Sequence, residues 1–311
     1  MGSQGQDGSP QRRPAASILR EMLEDPDKIL VCPGVYDGLT ARIALDQGFD
    51  CLYMTGAGTS ASRLGAPDLG LISLTEMHAN ADMIASLDPS VPLIADADVG
   101  FGGPLSVART VRKYIDSNVA ALHLEDQTLN KRCGHLQNKQ LVSQDEFLSR
   151  IRSSVMARKE SGRDIVLIAR TDALQSLGFE EAVKRLKAAI AEGADVAFLE
   201  GFFTREQGEE ICRIMAPTPC LINVVAGGVT PTISAAEAKA LGFKVMIWPI
   251  LSLTEVFNAT KRAMKELKET GIKEPVPGGS GGIRDIFGVC GLKECADFDK
   301  KAGGSAYSNG I

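Results

Sequence analysis

No apolar run in this 311-residue chain approaches the eighteen or so residues that a membrane-spanning helix needs. Histidine is nearly absent: His78, His123 and His135 are the only three. The seven cysteines (32, 51, 133, 212, 220, 290 and 295) lack any C-x-x-C spacing. Together these shortages disfavour a zinc site, and an odd, scattered set of thiols in a long chain argues for a reducing compartment rather than a disulfide scaffold. No basic stripe appears and the net charge is −5, so neither nucleic acid nor an anionic membrane is an expected partner. Met1–Pro14 has no apolar core of a secretory signal and reads as a disordered arm. The last three residues, Asn-Gly-Ile, are not a peroxisomal tripeptide, which leaves the cytoplasm as the expected location.

What is present is a large apolar complement, 44% of residues, arranged in a repeat. Eight β-branched or apolar runs are each followed by a polar turn: Ile29–Tyr36, Cys51–Ala57, Pro92–Asp98, Ala121–Asp126, Ile165–Thr171, Val196–Gly201, Cys220–Val225 and Lys244–Pro249. They are continuous rather than alternating, as parallel strands covered by helices should be. Amphipathic stretches near 103–117, 144–161, 179–192 and 204–215 supply intervening helices, with Ser143 and Thr204 as start signals. Eight βα units predict an α/β fold, a closed (β/α)₈ TIM-type barrel. An open doubly wound sheet is the runner-up, but the first βα turn carries no G-x-G-x-x-G fingerprint. The expected organisation is an arm (1–14), a barrel (15–270) that ends in a helix near 251–269, and a C-terminal part (271–311) made of a Pro/Gly-rich hinge at 275–282, a short apolar segment and a polar tail.

A parallel barrel places its active site at the C-terminal strand ends. Those ends carry Tyr53-Met54-Thr55-Gly56-Ala57, Asp96 and Asp98, Glu125-Asp126, Arg170-Thr171-Asp172, Glu200 and Asn223. Burying several carboxylates at one mouth requires cations, and an oxygen-rich set suits Mg²⁺ or Mn²⁺ held partly through water. Pairing such as Arg170 with Glu200 could instead be structural. Beyond the fourth run, Lys131-Arg132-Cys133-Gly134-His135 sets a thiol among positive charges, which predicts a favoured thiolate.

Asp-Ala-Asp-x-Gly-x-Gly-Gly, Leu-Glu-Asp-Gln, Lys-Arg-Cys-Gly-His and Ile-Ala-Arg-Thr-Asp, in that order, resemble the isocitrate lyase/phosphoenolpyruvate mutase superfamily. Pro33–Leu39 and Ala302-Gly303-Gly304 extend the resemblance over most of the chain. Lys-Arg-Cys-Gly-His marks the carbon–carbon-cleaving branch, which includes oxaloacetate hydrolases, 2,3-dimethylmalate lyases and the petal death protein. The resemblance implies that Asp96, Asp98 and Glu125 hold Mg²⁺ or Mn²⁺, with Asp68 in support. Thr55, Gly56 and Ala57 would bind a substrate carboxylate, and Arg170 that carboxylate or an alkoxide. Cys133 would be the general acid on a mobile gating loop, tuned by Arg132 and His135, with Lys131 beside it. Tyr53, Glu200, Asn223, Trp248 and Pro249 would line the pocket. The family also exchanges its last helices between subunits, implying a homotetramer.

The implied activity is cleavage of a substituted malate-type 2-hydroxy dicarboxylate, a small carboxylate substrate, to a keto acid and a carboxylic acid. Oxaloacetate acetylhydrolase is the alternative, but those hydrolases carry a serine where this chain has Pro249. Val99, Phe101 and Ala226 replace more polar residues of relatives, making the pocket more apolar and raising a third reading, a barrel that only binds a small acid.

Overall fold

The computed structural model describes residues 13–274 and 282–307. The first twelve residues of the expected arm and nearly all of the expected hinge, 275–281, therefore lie outside the described residues, as do 308–311. In chain order the elements are α1 (Ala15–Glu24), β1 (Leu30–Val35), α2 (Gly38–Asp46), β2 (Leu52–Met54), α3 (Gly56–Leu64), α4 (Leu74–Leu87), β3 (Leu93–Asp96), α5 (Pro104–Asp116), β4 (Ala121–Glu125), α6 (Gln144–Ser161) and β5 (Val166–Thr171). They continue with α7 (Leu174–Leu177), α8 (Phe179–Ala191), β6 (Val196–Leu199), α9 (Arg205–Met215), β7 (Cys220–Asn223), α10 (Ala235–Ala240), β8 (Val245–Trp248), α11 (Leu251–Thr270), α12 (Ile283–Val289) and α13 (Leu292–Lys301). The eight strands pair in parallel and in sequence order, and β8 closes onto β1 through Leu30–Val245 to Pro33–Trp248.

Side-chain parity explains both the continuous apolar runs and the mouth. Leu30, Cys32, Tyr53, Ile94, Ala121, Val166, Ile168, Val196, Phe198, Leu221, Val245 and Ile247 point into the barrel as one buried cluster, closed from below by Ala15 and Leu19 of α1. Alternate residues such as Met54, Ala95, Leu124 and Ala169 face the helices. Trp248 belongs to that outer layer, so the expectation that it lines the pocket is corrected: its parity turns it toward the helices. Pro249 has inward parity and is buried, with its carbonyl so close to β1 that a Cβ on Gly34 would lie 2.1 Å from it.

Helix starts follow local chemistry. Asp37, Ser73 and Ser234 form reciprocal capping boxes with Thr40, Glu76 and Glu237, and Ser143 and Thr204 cap α6 and α9 as anticipated. In the C-terminal part, Leu292–Lys301 of the polar tail is helical. None of the twenty residues of α11 is buried, and neither α12 nor α13 buries any of theirs. Of these, α12 lies beside α2 of the same chain, and Gly291, between α12 and α13, is close to Arg42.

Candidate active site

The inward parity of the interior continues upward into polar residues. Above Tyr53 comes Thr55, above Ile94 Asp96, above Ala121 His123 and Glu125, above Ile168 Arg170, above Phe198 Glu200, and above Leu221 Asn223. All of these are buried. The strands that build the core thus aim the acidic and basic groups at one mouth.

Arg170 is its hub. The guanidinium donates to Asp172 from Nε (3.0 Å) and Nη2 (3.1 Å), lies 3.1 Å from Glu125 Oε2 and 3.6 Å from Glu200 Oε2, and sits over the Phe198 ring. Burial works against the Asp172 carboxylate, but Arg170 and Lys139 outweigh it and hold that carboxyl below its ordinary range. Glu200 Oε2 accepts from Asn223 Nδ2 at 3.0 Å.

The candidate metal-binding acids lie on the other side of the mouth. Asp96 Oδ1 accepts from the Asp98 N–H (2.9 Å) and Oδ2 from the Gly56 N–H (3.2 Å), an approach that a Cβ on residue 56 would block at 2.4 Å. Asp98 lies beyond the end of β3, which stops at Asp96, and its own backbone is in the left-handed region with φ +47. Lys131 Nζ stands 2.6 Å from Oδ1 of both Asp98 and Asp68. Burial pushes Asp98 up to about 6 despite Lys131, and raises Asp96 and Glu125 as well. Among the described residues, no group of three or more His, Cys, Asp or Glu side chains is arranged to hold a metal ion. The donor chemistry still fits a hard cation: these are oxygen ligands, and the buried Glu125 Oε1 accepts no hydrogen bond among the described residues.

The segment from Gln127 to Leu141 folds over this mouth. Gln127 and Leu141 pair antiparallel, Thr128 N donates to Gln140 O (2.9 Å), and the Gln127 side chain bridges the backbone of Arg132. Lys139 Nζ ties Gly134 O to Asp172, both at 2.7 Å. Gly134 rests on the floor, where a Cβ would lie 2.5 Å from Arg170 Nη2. Cys133 is partly buried, and its N–H donates to Asp68 O at 3.2 Å.

The expected favouring of a thiolate is overturned. Burial raises the Cys133 thiol and Asp68 adds to it, with the His135 backbone N–H, Lys131 and Arg170 opposing only in part. The direct partners of the flanking charges are elsewhere: Lys131, though it lowers the thiol in part, meets its two aspartates, and the exposed Arg132 donates to Gln137 O. The His135 ring is held by Val229, Asn223 and Glu200. Of the expected carboxylate cradle, the Gly56 N–H already serves Asp96, and Thr55 Oγ1 accepts from Gly58 N–H as the cap of α3 while keeping its own hydroxyl proton, so the Thr55 O–H and the Ala57 N–H are the donors left for a carboxylate.

No motif or spacing in the sequence marks Lys139, and the strand-end position of Asp172 does not by itself disclose its pairing with Lys139 and Arg170. Asp126 adjoins Glu125 in sequence, but it has the opposite parity and braces Thr171, Asp172 and Arg185 behind the barrel wall. His123, buried beside Tyr53 OH at 2.8 Å and packed between the Tyr53 and Phe198 rings, is a packing and hydrogen-bonding residue.

The phosphoenolpyruvate phosphomutase family profile matches residues 19–268. The chain is 43% identical to the 2,3-dimethylmalate lyase of Eubacterium barkeri over 254 residues, 81% of this chain and 84% of that protein. A solved oxaloacetate acetylhydrolase with the inhibitor 3,3-difluorooxalacetate superposes with a TM-score of 0.91 at 52% identity, covering 94% of this chain and 98% of that one. A solved 2,3-dimethylmalate lyase, trigonal crystal form, superposes with a TM-score of 0.93 at 51% identity, covering 97% and 99%.

Proposed function

The chain belongs to the phosphoenolpyruvate mutase/isocitrate lyase superfamily, and from that premise we propose that it is a carbon–carbon lyase cleaving a substituted malate-type 2-hydroxy dicarboxylate, such as 2,3-dimethylmalate, to a 2-keto acid and a carboxylic acid. Identities of 51% and 52% do not separate lyase from acetylhydrolase. The observation that carries the choice is Pro249, buried one residue past the end of β8, where it brings no hydroxyl to the mouth.

Members of the superfamily use a divalent metal. Asp96, Asp98 and Glu125 would hold Mg²⁺ or Mn²⁺ here, in part through water. When bound, the cation supplies Lewis acidity that eases loss of the substrate hydroxyl proton. Arg170, kept charged and aimed by Asp172, would receive a carboxylate or the developing alkoxide. As the C2–C3 bond breaks, its electron pair passes to the departing carbon as an enolate. Cys133 would then donate its proton to that carbon. A thiol whose pKa is raised by burial is protonated at neutral pH, the state this role requires. Loop 127–141 would exclude water from the enolate.

The assembly we favour is a homotetramer exchanging its last helices. Its support is the apolar surface on α11 to α13: Phe257, Met264, Phe287 and Phe298 are all exposed in the single chain. No helix among the described residues is long and apolar enough to cross a membrane, and all seven cysteines are free thiols, which accords with a cytoplasmic location.

Product analysis with purified protein and Mg²⁺ or Mn²⁺ tests the reading. Pyruvate and propionate from 2,3-dimethylmalate, without oxalate from oxaloacetate, is the expected result. Oxalate and acetate from oxaloacetate would mean that the hydrolase reading holds and that Pro249 does not discriminate.

A further inference from the structure

His135 shares a segment with Cys133, but its ring is turned away from the thiol. The contact to the sulfur comes from the His135 backbone N–H. The ring instead crosses to the loop that follows β7, where Nδ1 accepts a hydrogen bond from Val229 N–H at 3.2 Å across 94 residues of sequence. That loop is itself turned by a Gly228 N–H to Val225 O bond of 2.9 Å.

The fit depends on two glycines. A Cβ on Gly228 would lie 2.6 Å from His135 Nδ1, and one on Gly134 would lie 2.8 Å from Glu200. Residue 228 must be small for the ring to reach Val229, and residue 134 must be small for the segment to settle on the floor. The far edge of the ring faces Asn223 Nδ2 at 3.3 Å and Glu200 Oε1 at 3.6 Å.

We propose that His135 is a positioning residue that bolts the Cys133 segment to the β7–α10 loop through Val229, so that the ring governs how firmly Cys133 is held over the barrel mouth. The consequence for turnover rests on the lyase reading above; the bolt itself does not.

An accepting Nδ1 carries no proton, so the ring is neutral with its hydrogen on Nε2, beside Glu200. Protonating Nδ1 would set one donor against another and release the bolt. The charged groups facing the ring are Glu200 from the end of β6, Arg170 and Asp172 from β5, and Lys139 from its own segment, with neutral Asn223 from β7. Burial, Arg170 and Lys139 oppose a second proton on the ring, while Glu200 and Asp172 favour it; opposition prevails, and the ring's pKa is lowered. The bolt is therefore engaged at neutral pH and lost on acidification.

The test is amide hydrogen exchange at Val229 in the full-length protein without substrate. Gly228→Ala, which displaces the ring, and His135→Leu, which removes the acceptor, should each speed exchange about three- to tenfold, the effect of losing one net hydrogen bond. His135→Asn, which puts an oxygen near the Nδ1 position, should restore most of the protection. Should Gly228→Ala fail to fold, His135→Leu and His135→Asn still decide the point. With 2,3-dimethylmalate, Gly228→Ala should raise KM by a similar factor with kcat little changed, because the closed population falls while the chemistry in it does not. Unchanged Val229 exchange in both disrupting variants overturns the proposal, and so does a fall in kcat at constant KM. Exchange is read without substrate, so a failure of the lyase reading would leave that result standing.

Discussion

Lys139 and Asp172 meet at 2.7 Å beneath the Cys133 segment, with both side chains buried. The same ammonium holds Gly134 O, and the same carboxylate receives two N–H groups of Arg170. One ion pair thereby joins the position of the segment to the posture of the arginine, so a change in either is felt by both.

Removing Lys139 should be costly. Lys139→Met leaves Asp172 buried with Arg170 as its remaining cation, and breaking such a pair typically costs about 3–5 kcal/mol. Denaturant unfolding should show a loss of that order. Lys139→Met combined with Asp172→Asn should lose clearly less than the sum of the single variants, since the second change removes the stranded charge. Additive losses would mean that the two groups are not coupled.

Cys133→Ser tests whether the barrel is an enzyme at all. A serine hydroxyl is a far weaker acid than a thiol and cannot serve as the same donor, so turnover should drop about 10²- to 10⁴-fold. Metal binding by calorimetry and the unfolding midpoint should stay near wild type. Undiminished turnover would remove the thiol from the mechanism. If the wild-type protein bound small acids but turned over none of them, the binding-only reading would gain.

Much of this was legible from the chain because a strand has a period of two. Residues two apart share a face, so the step from Ile168 to Arg170, or from Leu221 to Asn223, carries a core position into the mouth. The eight runs and their order emerged for the same reason, since strands covered on both faces are continuously apolar. What escaped were contacts made after the strands end. Asp98 turns through positive φ, the His135 ring finds a partner 94 residues away, and Lys139 reaches Asp172 33 residues on. The ionisation of the thiol is not legible from its flanking residues, because neighbours in sequence need not be neighbours in charge. Lys131 faces Asp68 and Asp98, Arg132 faces solvent, and burial decides the ionisation of Cys133. Trp248 was misplaced by one step of parity.

Metal affinity should depend on pH through the same carboxylates. Burial raises Asp98 to about 6 and raises Asp96 and Glu125, so protons compete with a divalent cation for these oxygens. Calorimetric titration with Mn²⁺ should give an affinity nearly constant above pH 7 and falling below about 6, by up to about tenfold per pH unit for each proton displaced. Asp98→Asn should weaken binding and flatten that dependence. An affinity unchanged between pH 7 and 5 would place the cation elsewhere.

Stability should carry a second signature, from His123. Its ring is wholly enclosed by Tyr53, Phe198 and Asp96, and burial followed by Arg170 lowers its pKa to about 3 from 6.5. Between those values the unfolded chain binds a proton that the native protein refuses, so the sign is fixed: stability is fully present above about 6.5 and is lost as pH falls toward 3. The slope from this one residue approaches about 1.4 kcal/mol per pH unit, or about 2 kcal/mol between pH 6.5 and 5. His123→Gln retains a polar partner for Tyr53 OH but has nothing to titrate. Urea unfolding of the two proteins at pH 7, 6 and 5 should show wild type losing more stability than the variant on acidification. Parallel losses would mean that the native barrel accommodates a charged His123, with Asp96 at 3.5 Å as its counter-ion.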